Sequence, residues 1–242
     1  MTHLQREIDR LKRKVLALGA LVEDNLRSAF QAIEQRDPAK ARRVIATDAM
    51  IDQNEVDVEE ECLKILALYQ PVAGDLRFLV AVIKITSELE RIGDLGSNIA
   101  ERALQLVDEH PVPVPSGFAV MADRTGTILE KALDALVRQD ATTARQVLAA
   151  DDEIDALYAE LIDELKVIIR ADLEHLDAIV LLFSVARYLE RLADHATNIA
   201  EDVLFMVDGD ICRHQTPNGE DGACTPDELF HFGDTDGGGD VF

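Results

Sequence analysis

Two stretches one hundred positions apart carry the residues best suited to chemistry: LERIGDLGSNIAE at 89–101 and LERLADHATNIAE at 189–201, identical at eight of thirteen positions. On an ideal helix at about 100° per residue, Asp94, Asn98 and Glu101 fall within about 80° of Glu90 and form one polar stripe. Ile92, Leu95 and Ile99 fall on the opposite side. Glu190, Asp194, Asn198 and Glu201 repeat the stripe against Leu192 and Ile199. Asp48 and Asp52, and again Asp151 and Asp155, stand four apart and share a helix face. Like charges at this spacing cost a few tenths of a kcal/mol, so something should offset them. An all-oxygen set favours a hard divalent or trivalent cation such as Mg²⁺, Mn²⁺ or Fe³⁺. For any one motif the plainer reading is a solvated face, with Arg91 or Arg191 supplying an ordinary salt bridge. Four motifs, paired and repeated, favour a shared site.

Whether the pairs can meet depends on the helices that carry them. Leu4, Ile8, Leu11, Val15, Leu18, Val22, Leu26 and Ile33 step mostly by three and four, a helical stripe. Asp37-Pro38 should end that helix and start the next. A second helix is expected to about Tyr69 and a third from about Asp75 to Asp108. The second copy should place helices near 118–139, 141–170 and 172–208. DPAKARRVIATDAMID at 37–52 aligns with DATTARQVLAADDEID at 140–155, an offset of 103 that later falls to 100, so three residues are lost between. The natural place is the turn, LYQPVAGDL at 68–76 against IIRADLEHL at 168–176. With turns near 72 and 172, each pair lies roughly 30 Å from its turn at about 1.5 Å per residue, and the pairs sit level.

The expected fold class is all-α, two tandem three-helix antiparallel bundles related by internal pseudo-symmetry. Residues 1–109 make the first repeat, 110–117 a Pro-rich linker (HPVPVPSG), 118–208 the second repeat, and 209–242 an acidic Gly-rich tail expected to be disordered. The net charge of −23, from 47 acidic and 24 basic residues, argues against nucleic acid as a partner. No apolar run is long enough for a transmembrane segment and no signal peptide is visible, so a cytoplasmic protein is expected. Of three cysteines, Cys212 and Cys224 with His214 and His231 form an irregular metal-ligand set, a minor candidate for zinc. A di-iron bundle enzyme needs Glu-x-x-His on inward faces, whereas these carboxylates point outward. No Gly-rich phosphate loop or nucleophile elbow appears, and no catalytic residue is assigned. A binding and regulatory role is expected, and a metal-free helical scaffold or interaction module is the rival.

LERIGDLGSNIAE and YLERLADHATNIAEDVLF closely resemble the PhoU family, regulators of the bacterial and archaeal phosphate response, over about residues 4–208. The resemblance implies a phosphate uptake regulator, not an enzyme. Such a protein is commonly a homodimer, and it negatively regulates uptake and starvation signalling by contacting the phosphate ABC transporter and a sensor histidine kinase. It implies a cytoplasmic location, peripheral at the inner face of the cell membrane through those partners. It also implies metal ions, multinuclear iron or zinc in some members, with manganese and magnesium open by ligand type. Carried onto this chain, Asp48, Asp52, Glu90 and Asp94 make one site and Asp151, Asp155, Glu190 and Asp194 the other, flanked by Asn98, Glu101, Asn198 and Glu201. Two departures stand out. Gly93 and Gly96 replace the Ala193 and Ala196 of the second copy at about 1 kcal/mol each, which suggests a looser first site. His195 lies about 140° from Glu190, off the stripe, and suits packing or surface better than ligation.

Overall fold

Apolar steps of three and four become seven α-helices in a computed structural model that describes residues 2–109, 112, 114–171 and 173–209. No strand occurs among the described residues. Helix α1, His3–Gln35, buries Ile8, Leu11, Val15, Leu18, Val22, Leu26 and Ile33, the stripe read from the sequence. It stops at Arg36, which turns left-handed (φ 46°), and Asp37 then accepts from the Ala39 and Lys40 amides to open α2, Pro38–Tyr69. The second repeat reuses this stop-and-start device. After α4, Ser116–Arg138, Gln139 turns left-handed and Asp140 caps α5, Ala141–Ala149, through the amides of Thr142 and Thr143. An aspartate at this position satisfies amide donors that the first turn cannot.

One detail departs from the sequence reading. The expected continuous helix 141–170 is two helices, α5 and α6 (Asp151–Ala171), broken at Ala150. The Ala150 amide reaches back only three residues, to the Val147 carbonyl. Asp151, Asp152 and Glu153 then fill the first turn of α6, where the positive end of the helix dipole favours carboxylates. The first repeat has Asp48-Ala49-Met50 at this point and α2 runs through.

The three lost residues fall about the turn: Ala73 stands twenty-one positions after Asp52, whereas Leu173 stands eighteen after Asp155. Helix α3, Ala73–Asp108, begins seventeen residues before Glu90, whereas α7, Leu176–Asp208, begins fourteen before Glu190, after a 3-10 turn at Leu173–His175.

Helices α1, α2 and α3 pack on one another, as do α4, α5, α6 and α7. Helix α1 also meets α4, and α3 lies along α7. That last seam is antiparallel: Glu88 faces His195 and Asn198, Lys84 faces Asp202, and Arg77 faces Met206. Leu89, Ile92, Leu189 and Leu192 are fully buried, and a single hydrophobic core runs through both repeats. None of the described helices is long and apolar enough to cross a membrane.

Candidate metal-binding surface

Helices α2 and α3 bring the first carboxylate set together. Asp48, Asp52 and Asp94 each offer an oxygen within 4.8 Å of the others. Asp48 is half-buried and the other two are exposed, so the cluster is open to solvent. Glu90 is half-buried beside it, its carboxyl pushed up to about 7 by burial and then by the charges of Asp94, Glu55 and Asp52, against Arg91. Burial and the neighbouring acids also raise Asp48 and Asp94. Ser97 lies near enough to oppose the rise at Asp48, yet neither its hydroxyl nor Asp48 Oδ1 completes a hydrogen bond, and both atoms are buried. A half-buried carboxylate with one hydroxyl nearby and two more carboxylates around it lacks positive charge. This donor set fits a hard cation.

The second set is level but looser. Asp151 is pushed up to about 6 by burial and by Asp194, Asp155 and Asp152. Burial also raises Glu190 and Asp194, with Asp155 contributing to both. The four therefore share one electrostatic field. Among the described residues, however, only the Asp48, Asp52 and Asp94 group draws three ligand atoms within the common distance.

The flanking residues divide. Glu101 is exposed and its charge is felt at Asp48, while Asn98 is half-buried. Asn198 donates instead to Glu88 Oε2 across the seam, at 3.1 Å, and Glu201 is half-buried. His195 Nδ1 lies 2.7 Å from the same Glu88 oxygen, the packing role its angle suggests. Arg91 pairs with Glu88 at 3.1 Å. Cys62 is buried, with its thiol pushed up to about 12. The Cys212, His214, Cys224 and His231 set lies outside the described residues, as does the tail from residue 210.

Sequence reasoning missed Glu55, whose carboxyl is raised by burial, Glu59 and Asp52 and which in turn bears on Glu90. The signal was present, since Asp48, Asp52 and Glu55 continue one helical stripe. The second repeat has Tyr158 in place of this acid.

The PhoU domain profile matches twice, at residues 15–103 and 118–203. The chain belongs to the PhoU family. It is 36% identical over 212 residues to a phosphate-specific transport system accessory protein PhoU homolog of Aquifex aeolicus, covering 88% of this chain and 96% of that one. It is 33% identical over 208 residues to PhoU of Edwardsiella tarda, at 86% of each chain. Among solved structures, PhoU from Pseudomonas aeruginosa superposes with a TM-score of 0.81 at 34% identity, over 86% of this chain and 100% of that one. The phosphate transport system regulatory protein PhoU from Streptococcus pneumoniae gives 0.80 at 28% identity, over 86% and 99%. In this PhoU fold both carboxylate sets fall within the matched repeats.

Proposed function

We propose that this chain is a metal-binding accessory protein of phosphate-specific transport, which restrains phosphate uptake and starvation signalling when phosphate is sufficient. Its relatives carry the accessory role in phosphate-specific transport in their names. The observation that supports the metal reading is the convergence of Asp48, Asp52 and Asp94, each with an oxygen within 4.8 Å of the others. Asp48, Asp52, Glu90 and Asp94 would hold one ion or cluster, with Glu55 at its edge, and Asp151, Asp155, Glu190 and Asp194 the other. A bound cation supplies charge neutralisation. The protein's own work is to present the two acidic surfaces on helices stiff enough that occupancy alters contacts with partners. We place those partners at the phosphate ABC transporter and a sensor histidine kinase, met by a cytoplasmic homodimer at the inner membrane face. Occupancy can shift such contacts only by its difference in affinity between the bound and free states.

Two measurements test this. Deleting the gene should leave phosphate-starvation genes expressed in abundant phosphate, and unchanged expression counts against the regulatory role. Tag-free protein should melt higher with Mn²⁺, whereas Glu90→Gln/Asp94→Asn should lose most of that gain and be neutral or more stable without metal. Equal shifts in both proteins would place the ion elsewhere and leave a metal-free scaffold.

A further inference from the structure

We propose that Gly93 is a positioning residue that lets α2 close on α3, so that the first repeat binds metal more tightly than the second. This rests on the metal reading above and goes beyond it by ranking the two sites. A Cβ at position 93 would lie 3.0 Å from Ile51 Cδ1, 3.1 Å from Ile51 Cγ2 and 3.7 Å from Asp48 Oδ1. Ile51 is fully buried and follows Asp48 by three residues and precedes Asp52 by one on the same helix. Its Cγ2 branches directly from Cβ and cannot swing away as a chain end can. Relieving a methyl at 93 therefore means moving α2, and with it both of its carboxylates.

The chain itself supplies the comparison. The second repeat has Ala193 at the position matching Gly93 and Ile154 at the position matching Ile51, both fully buried. Its middle helix breaks at Ala150, so Asp151 and Asp155 stand in the opening turns of α6, whereas Asp48 and Asp52 lie in the interior of the unbroken α2. Three close ligand oxygens are found in the first repeat and not in the second among the described residues. A mid-helix glycine costs about 1 kcal/mol against alanine. At position 93 that cost is tied to a close approach, the reverse of the looseness that glycine content alone suggests.

Equilibrium dialysis with Mn²⁺, with metal counted by elemental analysis, tests this on the full chain. Asp194→Asn should retain the tight component and Asp94→Asn should lose it. Adding Gly93→Ala to Asp194→Asn should weaken the remaining site by about tenfold or more. Adding it to Asp94→Asn should change nothing. Ile51→Ala combined with Gly93→Ala removes both obstructing atoms and should restore first-site affinity to within about threefold. This pair also carries the test should the single variant lose its helical circular dichroism. Equal affinities in the Asp94→Asn and Asp194→Asn proteins overturn the ranking. First-site affinity indifferent to Gly93→Ala, or left weak in the relieved pair, overturns the role of Gly93. Mn²⁺ binding that survives Asp94→Asn and Asp194→Asn together sinks the metal reading instead, a distinguishable result.

Discussion

Glu90 and Asp151 tie the acidic surfaces to pH in a definite direction. In the folded protein Glu90 keeps its proton up to about pH 7, while its ordinary value is 4.5. Asp151 does the same up to about 6 from an ordinary 3.8. Between those limits the folded chain binds more protons than the unfolded one, so these groups lower stability as pH rises through the window. The metal-free protein should melt at a lower temperature at about pH 7.5 than at about pH 5, and Glu90→Gln should flatten that fall. A melting temperature that climbs over the same interval would contradict the crowding. Protons and cations compete for the same oxygens, so Mn²⁺ affinity should rise across this interval. At this scale the eight paired carboxylates were legible from their four-residue spacing. Gly93 was legible as a glycine but not as a close contact, because which side chain faces it depends on how α2 docks.

The helices were legible wherever their ends carry chemistry. Asp37-Pro38 announces α2, which Asp37 caps, and Asp140 caps α5 in the same way. The break at Ala150 left no mark in the apolar pattern, because Val147, Ile154, Leu161 and Leu165 keep helical phase across it. What differs is the run of three acids that prefers a helix start. Helix α6 buries only Ile154, Leu161 and Leu165 over its 21 residues, whereas α2 buries seven residues over 32. Amides around 150–155 should therefore exchange with deuterium faster than those around 47–52. Equal protection would show that the break is of no dynamic consequence.

The whole molecule is joined along α3 and α7, and here the sequence said least. Lys84 and Asp202 meet at 3.0 Å although they are 118 positions apart, a pairing that no local spacing encodes. Asp202 is 6% exposed, so Lys84→Ala should cost about 1–3 kcal/mol by removing the ammonium from a buried carboxylate. The core runs through both repeats, so heat should unfold them in one transition, with calorimetric and van't Hoff enthalpies equal. Two resolved steps would mean that the repeats are independent. The antiparallel seam also bears on ancestry and assembly. A half-length progenitor could have covered the same apolar helix face by pairing with a copy of itself about a twofold axis, residue 88 opposite residue 95. The present halves suit each other better than they suit that exchange. Glu88 finds the His195 imidazole only in the other repeat, while a twin of its own repeat would keep the asparagine, as Asn98, but offer Leu95 in place of the histidine. Cut in the Pro-rich connection and mixed, the two fragments should select each other over themselves.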